Sequence, residues 1–279
     1  MPETTNQGWC LPTAKKYRNW SKAKLQKEVQ SPELSGYVVE DAKYQVNENT
    51  LAIYQFQKQP LLNKYKSAIF DLQKGIVLCT SSSRSLINAF TQNNLLGGLE
   101  FQREFANWLN QRSHYVIATG KRAYFSMHGY TTGDTDWVAL HHMANFRSLG
   151  KSAIAFNTVT CQGMTYTFTF TDCTRYISTQ VYSSLYYNHA MYKLGSSHLE
   201  SSLGWQVRRT TGKSLLDKRA YFHPHPTLNT SSLRDVYQSV LDKSHARYGQ
   251  CLAKLLEQPL IQDDHHTVYL SSRRPNTLF

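Results

Sequence analysis

Residues 121–176 read KRAYFSMHGYTTGDTDWVALHHMANFRSLGKSAIAFNTVTCQGMTYTFTFTDCTRY, and their pattern decides the fold class. Runs rich in aromatic and β-branched residues are separated by glycine-containing turns, the signature of antiparallel strands. RAYFSMH (122–128) ends at Gly129. WVALHHMANF (137–146) reads as one strand. AIAFNTVT (153–160) turns at Gln162–Gly163 into MTYTFTFT (164–171), where Met164, Tyr166, Phe168 and Phe170 alternate with threonines. Such alternation implies one buried face and one wet face. Basic residues stand near the ends of these runs, so the sheet is expected to carry a cationic rim.

Upstream, residues 37–57 read as two strands around an Asn-rich turn at Asn47–Asn49, and residues 65–80 as a strand pair turning at Lys74–Gly75. Ile76, Val77 and Leu78 form a continuous apolar run, which suits a strand buried on both faces. HYVIAT (114–119) adds a further strand. Helical spacing appears at Leu86, Ile87 and Phe90, then after the Gly97–Gly98 break at Leu99, Phe101, Phe105 and Trp108. Downstream, Ile177, Val181, Leu185 and Tyr192 have helical spacing, with Gly195 as the expected carboxy-terminal cap. Residues 232–258 carry the clearest helical stripe, including Val236, Tyr237, Val240 and Leu241, with Ser231 or Ser232 as cap and Pro259 beyond the end. The expected fold is therefore α+β, mainly antiparallel sheet with flanking helices and a carboxy-terminal amphipathic helix.

The expected organisation has four parts: a basic polar amino-terminal arm (1–36), a sheet domain (37–194), a Ser-, Gly- and Pro-rich linker (195–230) and a helical extension (231–279). In the arm, Lys15, Lys16, Arg18, Lys22, Lys24 and Lys27 surround Tyr17 and Trp20. It reads as a solvated, partly helical tail, with rings stacking on bases as the alternative.

A chain of 279 residues with 41% apolar residues can bury a real core. Its formal net charge is +12, and basic residues outnumber acidic ones in each of the stretches 1–40, 41–199 and 200–279. A basic surface attracts polyanions. The five cysteines, Cys10, Cys79, Cys161, Cys173 and Cys251, are widely spaced with no CxxC pair. That indicates neither a zinc ribbon nor a disulfide framework, and fits reduced thiols in a cytoplasm. No leader peptide or apolar run of membrane-spanning length is visible, so no membrane partner is expected.

Catalytic constellations are weak. Gly212-Lys213-Ser214 lacks the phosphate-loop glycine five positions earlier, where Val207 stands, and neither GxSxG nor HExxH occurs. His141 and His142, as neighbours on a strand, would face opposite ways and cannot share a metal. His223 and His225, and the Asp263–His266 run, lie in loops or near the terminus. Asp134 and Asp136 fit turn aspartates that bond their own backbone. No enzyme, metal or cofactor is expected. The remaining signal is cationic: Arg84, Arg103, Lys121, Arg122, Arg147, Lys151, Arg175 and Lys193 flank the strands, with Thr131, Thr132, Thr135 and Asn145 as supporting groups for phosphate contacts.

Five pieces in order give a family resemblance: YQVNENTLAIY (44–54), IVLCTSSSRSLINAF (76–90), LLGG (95–98), KRAYFSMHGYTTGDTDWVALHHMANF (121–146) and GMTYTFTFTDCTRYISTQVYSSLYYNHAMY (163–192). The order resembles the bacterial competence transcription factor ComK family over residues 44–193. Trp137, Val138, His141 and His142 match its Trp-containing strand, and Arg175 to Tyr192 its Tyr- and Asn-rich helix. Gly98 stands where the family usually carries an arginine.

The resemblance implies an activator of DNA-uptake genes, acting in the cytoplasm on the nucleoid. Such a protein would bind A·T-rich double-stranded DNA from the minor-groove side as a homo-oligomer, with RNA polymerase as a candidate partner. A narrow A·T minor groove has enhanced negative potential and admits Arg or Lys, so the implication is physically coherent. The expected contacts are Lys121, Arg122, Arg147, Lys151 and Arg175, with Arg84 and Arg103 supporting. Two alternatives stand beside it: an RNA- or single-strand-binding sheet stacking bases on Tyr124, Tyr166 or Phe168, and a metal-dependent hydrolase built on Asp134, Asp136 and His141.

Overall fold

The computed structural model describes residues 10–94, 98–111, 115–130, 133–160, 163–207, 212–218 and 230–256. Several sequence features fall outside them: Thr131 and Thr132, Cys161 and Gln162, Arg208–Arg209, Arg219, the His223–His225 pair, Pro259 and the Asp263–His266 run. Gly97 falls outside as well.

In chain order the elements are β1 (Asn19–Trp20), α1 (Lys22–Glu28), β2 (Val38–Glu40), β3 (Thr50–Gln55), β4 (Ser67–Asp71), β5 (Gly75–Cys79), α2 (Ser83–Asn94) and α3 (Gly98–Trp108). Then follow β6 (Val116–Ala118), β7 (Ala123–Ser126), β8 (Trp137–Ala139), β9 (Met143–Ser148), β10 (Ile154–Thr158), β11 (Thr167–Phe170), α4 (Ile177–Leu203) and α5 (Thr230–Leu256). Among the described residues the strands form two sheets, ordered β1-β11-β10-β9 and β2-β5-β4-β3-β8-β7-β6. Pairing is antiparallel except for β1 with β11 and β2 with β5. The α+β class read from the sequence is the fold observed.

The strand pair at 65–80 forms as expected, with Gly75 at φ +84° where an added Cβ would lie 2.5 Å from the Tyr37 carbonyl oxygen. Ile76, Val77 and Leu78 are buried. The pair expected within 37–57 does not form. Val38–Glu40 runs parallel to β5, and Thr50–Gln55 pairs with β4 and β8. The intervening turn is tied down instead. The Tyr44 hydroxyl donates to Asp71 Oδ2 at 2.7 Å, and Asn49 N donates to Asn47 Oδ1 at 2.8 Å.

WVALHHMANF is two strands in two sheets. A 3₁₀ turn at Leu140–His142 carries the chain from β8 in the larger sheet to β9 in the smaller. Leu140 and Met143 are both fully buried on either side of this corner, so the apolar pattern continues through it.

The amino-terminal arm is part of the body. Leu11, Tyr17, Trp20, Leu25 and Leu34 lie in the main core cluster. Tyr17 stacks on Trp20 at 5.7 Å, and Trp20 meets Phe70 at 4.9 Å. Lys24 crosses both the Tyr17 and Trp20 rings, and the buried Asp136 pairs with Lys22 at 3.2 Å. Neither Tyr17 nor Trp20 is available to stack on a base.

Helix α4 does not stop at Gly195. It runs nine residues past Leu194 to Leu203 and is capped by Gly204 at φ +68°, whose N–H bonds Glu200 O at 3.0 Å. The 195–230 stretch is thus helical at its start, and it also buries Leu215 and Leu216. The carboxy-terminal helix docks on α3: Tyr237 meets Phe101 at 4.8 Å, and Lys243 pairs with Glu104 at 2.5 Å. It starts at Thr230, so Ser231 and Ser232 lie within it.

Candidate nucleic-acid interface

Strands β9 and β10 form an antiparallel hairpin at one edge of the smaller sheet. Leu149 N donates to Ala153 O at 2.9 Å, the Ser148 hydroxyl donates to Gly150 O at 2.8 Å, and Gly150 takes φ +138° at the tip. That conformation belongs to glycine. Leu149 and Lys151 at the tip, and Arg147 on β9, are exposed. The segment leading into α4 is laced to the same hairpin: Cys173 N donates to Ser152 O at 2.8 Å, and Tyr176 N to Lys151 O at 2.9 Å. Arg175 therefore stands beside Lys151, with its guanidinium 5.5 Å from the Tyr176 ring centroid.

Of the expected contact residues, Lys151 and Arg175 are brought side by side in this way, and Arg147 lies on β9 of the same hairpin, opposite Ala155. Exposed apolar groups lie in the same segments: Tyr176 is 60% exposed and Leu149 44%. Tyr182, 47% exposed, leans on Phe146 at 5.2 Å, on the face of β9 opposite Arg147. Tyr176, in the left-handed region at φ 59°, begins α4 without a side-chain cap. The first-turn N–H groups of a helix favour anions, so this end adds to the local positive potential. One exposed carboxylate, Asp172, lies in the same segment.

Lys121 and Arg122 lie elsewhere. They precede β7, whereas the Arg175 segment is bonded beyond its far end, through Thr174 N to Met127 O at 3.0 Å. Lys121 is exposed, but Arg122 is committed to Glu48 at 2.6 Å. Their turn is rigid. Asn188 of α4 accepts from Gly120 N and donates to Gly120 O, and an added Cβ on Gly120 would lie 2.9 Å from Tyr192 Cα.

Arg84 lies beside Asp134, and Arg103 beside Tyr130. Asp134 accepts from the Arg84 backbone N–H at 3.0 Å and so caps α2. Burial pushes the Tyr130 phenol up to about 12, an effect opposed by the charge of Arg103. Thr135 is buried and accepts from His128 N at 3.0 Å, so it supports the loop and does not face outward.

The residues of the alternative readings have structural employment. Tyr124, Tyr166 and Phe168 are buried and cannot serve as stacking platforms. Asp134 caps a helix, and Asp136 accepts from Gln55 N at 2.7 Å while pairing with Lys22. Burial raises the Asp136 carboxyl above its ordinary range, opposed mainly by Lys22. Among the described residues no group of three or more His, Cys, Asp or Glu could hold a metal ion. Among the described residues Cys10, Cys79, Cys173 and Cys251 form no disulfide, and burial pushes the Cys173 thiol up to about 12.

His141 and His142 sit on the sheet-switching turn, with ring centroids 4.5 Å apart, and do not point to opposite faces of a strand. Burial of the ring, together with the neighbouring His142, holds His141 down to about 3. His142 is lowered as well, chiefly by burial, against its contact with the Glu48 carbonyl. In the unfolded chain a histidine titrates near about 6.5, so as pH falls the unfolded state takes up the proton first. The stability that a neutral His141 contributes above pH 6.5 is therefore lost on descending toward 3, by about 2 kcal/mol between pH 7 and 5. Urea midpoints at both pH values, for the parent and His141→Gln, check this. The variant is expected to lose less; equal losses would refute the assignment.

One feature was not legible as a site in the sequence. On the outward face of the smaller sheet, Asn19, Thr167, Asn157 and Asn145 lie in register across four strands. The Thr167 hydroxyl donates to Asn157 Oδ1 at 2.8 Å, and Asn157 Nδ2 donates to Asn145 Oδ1 at 2.7 Å. The clean threonine alternation of β11 signals a wet face, but the row requires the pairing register. Comparison of the chain with family models, with curated proteins and with solved structures finds no match.

Proposed function

We propose that this protein is a double-stranded DNA-binding transcription activator that prefers A·T-rich sites approached from the minor groove. The observation that carries the reading is the hairpin end of the smaller sheet, where Arg147, Lys151 and Arg175 stand exposed beside Tyr176 and Leu149. Long cationic side chains on a stiff β scaffold suit phosphate contacts, and exposed apolar groups among them suit contact with sugars and base steps. The formal net charge of +12 supplies long-range attraction to a polyanion. The ordered resemblance to the ComK family over residues 44–193 adds activation of DNA-uptake genes and action as more than one copy. Several copies on neighbouring sites multiply modest individual affinities.

Arg147, Lys151 and Arg175 are the principal contacts in this proposal. Lys121 is a separate, secondary one, and Arg122 contributes little while Glu48 neutralises it. The test is a titration of the purified chain against an A·T-rich duplex, a G·C-rich duplex of equal length and the corresponding single strands. The A·T-rich duplex is expected to bind most tightly, with affinity falling steeply as salt rises. Preference for single strands would favour the RNA or single-strand reading and overturn this one.

A further inference from the structure

The hydrogen bonds within the outward row have a direction. Thr167 gives its hydroxyl proton to Asn157 Oδ1, and Asn157 gives one amide proton to Asn145 Oδ1. The Asn157 and Asn145 amide oxygens thereby each spend one of two lone pairs inside the row. The N–H donors left over are the second N–H of Asn157 and both N–H bonds of Asn145. Asn19, exposed on β1 opposite Thr167, adds a further amide at the other edge. Arg147 lies two residues beyond Asn145 on the same strand, and therefore on the same face. Arg147 thus adjoins the row.

The opposite faces of the same strands explain why this one is free to be polar. Trp20, Phe168 and Phe156, the next row in register, are buried in the core, and Phe146 extends that row at the edge. The inner row holds the sheet to the body, and its outward neighbours carry no such burden.

We infer that Asn19, Asn157 and Asn145, with Thr167 holding Asn157 in place, form a donor strip that reads the floor of an A·T-rich minor groove, an inference that rests on the duplex-DNA reading above. The floor of such a groove presents only acceptors, adenine N3 and thymine O2, whereas a G·C pair adds the guanine N2 amino donor. A row of outward N–H groups matches the first and opposes the second. The dimensions agree. Four strands at about 4.8 Å spacing span roughly 14 Å, and base pairs stacked at about 3.4 Å place four within that length. A sheet face is wider than a minor groove of about 6 Å. Seating the strip therefore opens the groove, a deformation that flexible pyrimidine–purine steps absorb most readily.

The test uses the full chain and three duplexes of one length: A·T-rich, G·C-rich, and the G·C-rich duplex with inosine in place of guanine, which lacks the N2 amino group. The parent is expected to bind the inosine duplex nearly as well as the A·T-rich one. Asn145→Ala with Asn157→Ala is expected to lose affinity for the A·T-rich duplex by about tenfold or more, with little change on the G·C-rich duplex. Asn145→Gln, which keeps a donor amide, should recover part of the preference. Thermal melting of each variant separates loss of reading from loss of fold. A double variant that melts normally and keeps the parent's preference overturns the strip, as does a parent that treats the inosine duplex like the G·C-rich one. Failure of the parent to bind any duplex overturns the functional proposal itself, and is distinguishable from either outcome.

Discussion

Replacing Arg147, Lys151 and Arg175 together by alanine is expected to lower affinity for an A·T-rich duplex by two to three orders of magnitude at moderate salt. Hydrogen bonds to charged groups are worth about 1.5–3 kcal/mol each, and three of them exceed that loss even after partial compensation. The sharper readout is salt dependence. Each lost phosphate contact reduces the slope of log K against log salt by about 0.9, so the triple variant should be flatter by two to three units. All three side chains are exposed, so stability should barely change. Anisotropy titrations at several salt concentrations measure both quantities. Lys121→Ala, at the other end of β7, is the contrast and should flatten the slope by no more than one unit. An unchanged slope in the triple variant would remove the phosphate-contact role of the hairpin end.

Trp20→Ala is expected to cost about 3–5 kcal/mol of folding stability, the range for truncating a buried large aromatic. Trp20 is 1% exposed, and it joins Tyr17 on one side to Phe70 on the other. Its loss opens a cavity where the amino-terminal segment meets both sheets and loosens the hold of β1 on β11. The variant should unfold at a lower urea midpoint in one transition. A detachable tail would predict almost no change, so a shift below about 0.5 kcal/mol would show that residues 10–36 are not integral to the core.

The two residues at the centre of that prediction show why the sequence understates the role of this segment. Tyr17 and Trp20 sit among Lys16, Lys22 and Lys24, and the local composition is that of a solvated arm. Lysine ammonium groups lie over the rings, with Lys24 Nζ 5.1 Å from the Trp20 ring centroid, so charge covers the surface while the rings face inward. The corner at Leu140–His142 is illegible for a related reason. No glycine or proline punctuates it, and Leu140 and Met143 keep the apolar pattern running although they serve different sheets. Gly195 misleads in the opposite direction. Nothing lies within 4 Å of where its Cβ would be, and the helix passes through it to end at Gly204, where a positive φ is required. By contrast, local signals suffice for the β4–β5 pair, for α2 and α3, and for the alternating face of β11. Of the candidate site, residue type and turn position identify Arg147, Lys151 and Arg175. Which cations share a surface, and which ones a carboxylate such as Glu48 has already claimed, depends on tertiary structure.

The parallel pairing of β1 with β11 joins Trp20 to Phe168 across more than half the chain. During synthesis the first strand leaves the ribosome long before its partner exists. Until then Tyr17, Trp20 and Leu25 remain open to solvent, a hydrophobic surface that chaperones would recognise. Closure of so long a loop late in folding also makes docking of this strand a natural candidate for the slowest kinetic phase.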